Sequence, residues 1–252
     1  NFQMDSSTTY MYSDGTSTGS QTRGSIGGGS GLHGVDYEEG IYLGYKYYET
    51  YWYETAQGNT AESDGTGEWS EDNQAAADAW HDAHVTYPFG YGLSYTDFDY
   101  EIVGVSRAGG EALTEGETVQ GSEFASTAEQ AAKVKTLNVT VKITNTGNRA
   151  GKAVGQIYVS APYIDGGVEV PYVKLVGFDK TRSLEPGQSD TFVVPVEMQD
   201  IASFDYDGKA GIKVGEEKYT GYVLNEGEYT LRLINSSSQL RAERAGQYDE
   251  FS

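Results

Sequence analysis

The sequence has 252 residues and a formal net charge of −21, because 38 acidic residues outnumber 17 basic ones. Such an acidic surface repels phosphate backbones and anionic lipids, so the composition argues against nucleic-acid and membrane-surface partners. The absence of cysteine excludes disulfides and thiolate chemistry but leaves the compartment open, with secretion or the cell surface slightly favoured.

Aromatic residues make up 13% of the chain, with 21 tyrosines, and glycine numbers 33. This composition favours strands and tight turns over helical bundles. No window reaches the roughly 18 apolar residues that a bilayer span requires, so membrane insertion is not expected. The first residues lack the basic start and the apolar run of a signal peptide, and we interpret the chain as a fragment.

Residues 4–34 consist mainly of serine, threonine and glycine, and they cannot bury enough apolar surface to offset the entropy of ordering them. We expect a loop or a disordered segment here. Residues 29–34 read Gly-Ser-Gly-Leu-His-Gly, which formally matches the dinucleotide fingerprint. That fingerprint needs a strand before it and a helix after it, and neither is predicted, so we interpret the match as accidental and expect no cofactor.

Residues 41–53 alternate and are rich in β-branched and aromatic side chains, which predicts a strand. The second half of this stretch, residues 47–53, is unusually aromatic. Aromatic faces of this kind either pack at a domain interface or stack on sugar rings. The interface interpretation is preferred, because aromatics at a domain contact need no ligand.

A short helix is predicted from Asp72 to about Ala83, where five alanines raise the helix propensity. Asp78, His81 and His84 have a spacing on this helix that is compatible with a metal ion. Two histidines and one carboxylate more often form an ordinary solvated surface, so no metal site is assigned.

Residues 87–100, called the aromatic segment below, read Tyr-Pro-Phe-Gly-Tyr-Gly-Leu-Ser-Tyr-Thr-Asp-Phe-Asp-Tyr. Pro88 restricts the backbone, whereas the next two glycines permit angles that their aromatic neighbours adopt poorly. Large rings with polar tips suit a domain junction. We therefore expect Phe89, Tyr91 and Tyr95 to be buried between two domains, the alternative being a plain aromatic turn that leads into a strand.

Beyond residue 97 the pattern is that of short strands. Leu137, Val139, Val141 and Ile143 alternate with polar residues, which predicts a strand with one buried face. This run and six similar ones, which turn sequences separate, predict seven strands. They lie at residues 98–105, 137–144, 153–160, 173–180, 191–198, 221–224 and 228–233. Such a series predicts an immunoglobulin-like β-sandwich.

Three features interrupt this pattern. Residues 107–133 are polar and acidic and form a long excursion between two strands. Pro195 lies within a predicted strand, which indicates a sheet edge or a bulge. Residues 205–208 read Asp-Tyr-Asp-Gly, which resembles the start of a calcium-binding loop. The remaining residues of that loop pattern are missing, so a solvated acidic turn is expected.

Several segments together resemble glycoside hydrolase family 3. The aromatic segment is similar to the signature with which these enzymes pass from an α/β sandwich domain into a fibronectin type III-like domain, and residues 37–50 resemble the stretch upstream of that passage. Four further segments resemble strands and turns of the fibronectin type III-like domain of these enzymes, namely residues 141–152, 156–159, 175–181 and 184–189. The matches keep their order, which makes the resemblance specific.

The resemblance implies a mainly β fold in three parts. Residues 1–96 would be the C-terminal part of an α/β sandwich domain with loop insertions, so that an incomplete α/β segment precedes the β-sandwich. Residues 97–240 would form the fibronectin type III-like β-sandwich, and residues 241–252 a tail or linker. Residues 218–229 resemble the subgroup in which the catalytic barrel follows these domains.

No catalytic, metal-binding or substrate-binding residue is assigned. Retaining glycosidases need two carboxyl groups about 5 to 5.5 Å apart, and in the resembled family these lie in the barrel and in the upstream α/β domain. Residues 78–80 do not reproduce the nucleophile motif, and the three histidines offer no oriented base for a Ser-His-Asp arrangement.

The resemblance implies part of a β-glucosidase-like enzyme that hydrolyses terminal β-linked sugars from oligosaccharides or glycosides. The chain would supply structural or accessory domains and be inactive alone. Its implied partners are the remainder of the glycosidase, namely the barrel and the rest of the α/β domain, and a carbohydrate substrate. The alternative is a non-catalytic carbohydrate-binding or cell-surface β-sandwich module.

Overall fold

The computed structural model describes residues 40–107, 109–116, 136–238 and 249–252. The predictions for residues 4–34 and for most of the 107–133 excursion lie outside these ranges. The helices are α1 (Tyr45–Ala56), α2 (Glu71–His84) and the single turn α3 (Met198–Ile201). The strands are β1 (Phe98–Arg107), β2 (Ala112–Leu113), β3 (Thr136–Asn145), β4 (Val154–Ser160), β5 (Lys174–Lys180), β6 (Ser189–Glu197), β7 (Ser203–Asp205), β8 (Lys213–Val214), β9 (Glu217–Lys218), β10 (Gly221–Val223), β11 (Thr230–Ile234) and β12 (Asp249–Phe251).

Helix α1 replaces the strand predicted for residues 41–53, and that prediction is wrong. Its buried residues are Glu49, Trp52, Thr55 and Ala56, which recur with helical and not strand spacing. Aromatic enrichment favoured a strand, but tertiary packing decides such cases. Residues 40–97 contain α1 and α2 and no strand, so the expectation of strands before the sandwich is also wrong there.

Helix α2 confirms the predicted helix and begins slightly earlier. The Ser70 hydroxyl accepts a hydrogen bond from the Asn73 backbone N–H at 3.1 Å, which caps the first turn. On its inner face Ala77 is fully buried against Trp52 and Ala56 of α1. The two helices therefore pack as a pair.

Two four-stranded antiparallel sheets follow the helical pair, in the strand orders β2-β1-β3-β6 and β12-β11-β4-β5, with two two-stranded ribbons, β10-β7 and β8-β9, beside them. Valines, isoleucines and leucines from both sheets fill the space between them: Val105, Val139, Val141, Ile157, Val159, Val176, Val194, Val196, Leu231 and Leu233, together with Ile201 of α3. The predicted β-sandwich is thus confirmed.

The details of the strands follow the predictions with two differences. Pro195 lies in β6, which pairs with β3 and forms the edge of its sheet among the described strands, as predicted. Strand β10 pairs with β7 as a separate ribbon and does not join either main sheet. The shortest strands, of two or three residues, were not predicted. None of the described helices is long and apolar enough to cross a membrane.

The aromatic segment is attached to the sandwich by its backbone. Gly90 has a φ of 82°, and a Cβ there would lie 2.4 Å from Gln156 Oε1, so only glycine fits. The Ser237 N–H donates to the Phe89 carbonyl at 2.9 Å. The Phe89 ring stacks on Tyr45 of α1, with ring centroids 4.5 Å apart.

Three rings of this segment that were expected to be buried between two domains are not buried by the part of the chain that the structure describes. Phe89 is 42% exposed, Tyr91 is 44% exposed and Tyr95 is 92% exposed. Among the described residues, Tyr91 makes its ring contact with Tyr87 of the same segment. Phe98, at the end of the segment, is buried in the sandwich.

Candidate functional site

Three polar side chains meet in the interior between the helical pair and the sandwich. Glu49 of α1, His81 of α2 and Ser237, which follows β11, are each at most 2% exposed. The Ser237 hydroxyl donates to Glu49 Oε1 at 2.6 Å. His81 Nε2 lies 3.3 Å from Glu49 Oε2. We call this group the Glu49 cluster.

The Glu49 cluster has the geometry of a structural tie and not of a nucleophilic site. In a serine hydrolase the histidine contacts the serine hydroxyl, and an acid orients the histidine. Here the Ser237 hydroxyl donates directly to the acid. Burial also leaves substrate no access, so the cluster fastens α1, α2 and the end of β11 to one another.

The three side chains considered for a metal on α2 do not converge. His81 points into the Glu49 cluster, and the expectation that it lies on a solvated surface is wrong, because a buried carboxylate needs a polar partner. His84 is exposed and stacks on Trp80 at 4.4 Å. Asp78 Oδ1 accepts a hydrogen bond from Trp52 Nε1 at 2.8 Å. The described part of the chain contains no group of three or more metal-ligating side chains.

Asp205 is 2% exposed, so the expectation of a solvated acidic turn is wrong for this residue, whereas Tyr206 and Asp207 of the same turn are exposed. Burial opposes ionisation of Asp205, but the backbone N–H groups of Ala210, Lys209 and Asp207 donate to its carboxylate at 2.8, 3.0 and 3.2 Å. These hydrogen bonds outweigh burial and lower the pKa of Asp205. The carboxylate therefore organises its own loop.

A cleft of about 440 Å³ opens between the helical pair and the loops of the sandwich. We call it the α1 cleft. Its lining comes from α1 and the residues before it, from the loops that follow β4 and precede β5, and from β11: Tyr42, Thr50, Tyr53, Glu54, Ser160, Ala161, Pro162, Tyr163, Val170, Pro171, Tyr172 and Arg232. Its volume lies within the range of small-ligand sites, about 300 to 1,000 Å³.

One wall of the α1 cleft is a rigid stack. The rings of Tyr53 and Tyr172 lie 4.1 Å apart and within 10° of parallel. The Tyr172 backbone N–H donates to the Thr50 hydroxyl at 2.9 Å, which fixes the stack to α1. On Tyr172 lies the guanidinium of Arg232, whose carbon is 5.9 Å from the ring centroid.

Arg232 brings positive charge and hydrogen-bond donors to the cleft. Its side chain is 13% exposed, and its Nε lies 3.6 Å from Glu250 Oε1, which is an ion-pair distance longer than a hydrogen bond. Nη1 donates to the Ser160 hydroxyl. Within the described ranges, the buried Nε has no hydrogen-bond acceptor.

The lining of the α1 cleft also includes two tyrosines, Tyr42 and Tyr163, that have carboxylates nearby. The Tyr42 hydroxyl donates to Glu169 Oε2 at 2.8 Å, and Lys209 Nζ lies 3.3 Å from Glu169 Oε1. Burial, and then the bond to Glu169, raises the pKa of Tyr42. Burial and the negative charge of nearby carboxylates raise the pKa of Tyr163. Both phenols stay protonated at neutral pH and can donate.

Glu54 is the only carboxylate among the lining residues of the α1 cleft. Its Oε2 accepts a hydrogen bond from Asn59 Nδ2 at 2.7 Å. Its Oε1 accepts none from the residues that the structure describes. The cleft thus combines aromatic faces, N–H and O–H donors and one carboxylate acceptor, but lacks the paired carboxyl groups that glycoside hydrolysis requires.

The fold and the site can be compared with known proteins. The sequence model of the fibronectin type III-like domain family matches residues 153–237. The chain is 32% identical to β-glucosidase A of Butyrivibrio fibrisolvens over 210 residues, which are 82% of this chain and 19% of that enzyme. It is also 32% identical to an exo-1,4-β-xylosidase of Emericella nidulans over 159 residues, 63% of this chain and 17% of that enzyme.

A solved structure agrees with these relatives. The β-glucosidase of Paenibacillus barengoltzii is 28% identical and superimposes with a TM-score of 0.53, covering 86% of this chain and 16% of that one. The chain thus spans about a fifth or less of the length of these relatives. Because the relatives are glycosidases, an independent surface module is not favoured. The chain belongs to glycoside hydrolase family 3, of which it represents a segment that includes the fibronectin type III-like domain.

Proposed function

We propose that the chain is an accessory part of a β-glucosidase-type enzyme that removes terminal β-linked sugars from oligosaccharides or glycosides. The observation that carries this proposal is the match to β-glucosidase A over 82% of this chain and only 19% of the enzyme. The enzyme's active site would then be supplied by the remainder of the glycosidase.

The carboxylates of the described residues support an accessory role. Buried carboxylates are found at Glu49 and Asp205, and both are engaged by hydrogen bonds within the fold. The α1 cleft contributes Glu54 alone. A retaining or an inverting glycosidase needs two carboxyl groups that face the same bond, and no such pair is assigned here.

The exposed rings of the aromatic segment support a contact with the remainder of the glycosidase. Tyr87, Leu93 and Tyr95 are 68%, 89% and 92% exposed. A cluster of large exposed apolar side chains marks an interaction surface. We assign the rest of the α/β domain as the partner of this surface. We also assign residues 97–240 to the sandwich domain, because β1, at the start of that range, pairs with β3 along the length of β1.

The test compares the 252-residue protein with the complete enzyme on p-nitrophenyl β-glucoside and β-xyloside. The 252-residue protein is expected to give no turnover above the uncatalysed rate, and the complete enzyme to be active. Turnover by the 252-residue protein that disappears on changing one of its own carboxylates would contradict the proposal.

A further inference from the structure

We propose that the α1 cleft is a saccharide-binding site for a neutral pyranose unit of a β-linked oligosaccharide. This goes beyond the proposed function, because the ligand is bound by residues of this chain. Three properties of the cleft carry the inference: its aromatic wall, its hydrogen-bonding groups and its charge.

The aromatic wall provides the apolar contact. The Tyr53–Tyr172 stack is held by the hydrogen bond from the Tyr172 N–H to Thr50 and by the Arg232 guanidinium over Tyr172, so its rings are ordered before any ligand arrives. Tyr163, which is 56% exposed, contributes a further ring to the lining. A pyranose ring has a face of C–H groups that packs on aromatic rings, and rings fixed in advance lose little entropy on binding.

The polar groups of the lining provide the directional contacts. Glu54 Oε2 accepts a hydrogen bond from Asn59, and Oε1 of the same carboxylate accepts none from the described residues. Tyr42 and Tyr163 belong to the same lining. A sugar hydroxyl both donates and accepts, so the hydroxyls of a sugar in the cleft can donate to Glu54 and form hydrogen bonds with these phenols.

The charge of the cleft disfavours an anionic ligand. Such a ligand would meet Glu54 within the cleft and the net charge of −21 of the whole chain. A polyhydroxylated neutral ring avoids this repulsion, and its hydroxyls can donate to the Glu54 carboxylate.

The experiment is a calorimetric titration of the 252-residue protein with cellotetraose, xylotetraose and tetragalacturonate. We expect saturable binding of at least one of the two neutral sugars, with weaker or no binding of the anionic one. Tyr163→Ala should weaken the affinity about tenfold, and Glu54→Gln about fivefold or more, through the loss of a ring contact and of a charged acceptor. The matched control is Tyr95→Ala, which removes an exposed tyrosine outside the cleft and should change the affinity less than about twofold.

Each outcome decides the proposal. Absence of saturable binding by both neutral sugars, tighter binding of tetragalacturonate, or unchanged affinity in Tyr163→Ala and Glu54→Gln would overturn it. Thermal melting of each variant verifies that the fold is intact, since both side chains lie at the margin of the fold. The result is separable from the proposed function, because the accessory role is tested by turnover and the cleft by binding.

Discussion

Glu49 is a carboxylate in the interface between the helical pair and the sandwich, and only 2% of its surface is exposed. Burying such a group is unfavourable unless hydrogen bonds replace those it made to water. The Ser237 hydroxyl donates a hydrogen bond to Glu49 Oε1, and His81 Nε2, on a different segment, lies at an ion-pair distance of 3.3 Å from Glu49 Oε2. Glu49 therefore discriminates against any arrangement in which either segment is displaced, in a way that an apolar side chain would not.

Ser237→Ala tests the role of this cluster. Removing the hydroxyl deprives Glu49 Oε1 of its donor at 2.6 Å, and we expect a loss of about 1 to 3 kcal/mol in the free energy of unfolding. Urea denaturation measures it. The matched control is Ser183→Ala at an exposed position, for which a change within about 0.5 kcal/mol is expected. Equal effects of the two substitutions on the free energy of unfolding would show that the Glu49 cluster does not stabilise the fold.

Asp205 gives a prediction that depends on pH. Its pKa is lowered in the folded state, so its contribution to stability is complete above the unfolded-state pKa of about 3.9 and is lost as the pH falls through the folded-state value. Asp205→Asn should therefore lower the unfolding free energy by about 1 to 2 kcal/mol at pH 7. The difference from the wild type should shrink below about pH 4.

Thermal melting between pH 3 and pH 7 measures this difference. Asp207→Asn in the same loop is the matched control, because Asp207 is exposed and its carboxylate accepts no hydrogen bond from the residues that the structure describes. A constant difference between Asp205→Asn and wild type over the whole pH range would show that the ionised carboxylate does not hold the loop.

At the scale of elements, the contact between α1 and α2 depends on the small side chain at Ala77. This residue is fully buried against Trp52 and Ala56. Ala77→Leu should force the helices apart and cost about 1 to 3 kcal/mol. Ala79→Leu, at an exposed position of the same helix, keeps the helix propensity similar and should be nearly silent. Urea denaturation of both variants tests the packing, and equal stability would show that the helices do not pack closely.

An element can be predicted from the sequence when its own residues are enough to determine its structure. In β3, Val139, Val141 and Ile143 are buried and their neighbours are not, so alternation alone identified the strand. Helix α2 carries its cap and its alanines in its own sequence. Helix α1 does not, because its aromatic residues favour a strand by propensity and become helical only through contacts with Ala77 and with the sandwich.

The candidate site was less predictable than the fold. The α1 cleft is lined by four separate segments of the chain, and only the aromatic stretch that includes Tyr53 gave a signal for sugar stacking. Nothing adjacent to Arg232 in the sequence identifies it as a donor that lies over Tyr172. The Glu49 cluster was missed because its members contact one another only after the helices dock.

At the scale of the whole molecule, the exposed aromatic segment predicts an effect that depends on context. Tyr95→Asp should leave the melting temperature of the 252-residue protein nearly unchanged, since Tyr95 is 92% exposed. In the complete enzyme the same change should lower it, because a charge would be buried at the contact with the partner domain. Tyr206→Asp adds the same charge at a tyrosine that is 63% exposed, and should be silent in both proteins. A silent Tyr95→Asp in the complete enzyme would mean that the rings face solvent there too.

The contacts that dock α1 also set an order of assembly during translation. They join residues separated by 130 positions for Tyr45 and Leu175, 122 for Thr50 and Tyr172, and 188 for Glu49 and Ser237. At roughly 5 to 20 residues per second, the ribosome needs on the order of 10 to 40 seconds to pass from Glu49 to Ser237. During that interval helix α1 carries an acidic side chain whose serine partner has not yet been synthesised. A stop codon placed before residue 237 would therefore remove the hydrogen-bond donor of Glu49 and leave α1 less firmly docked, and so more open to chaperones and proteases.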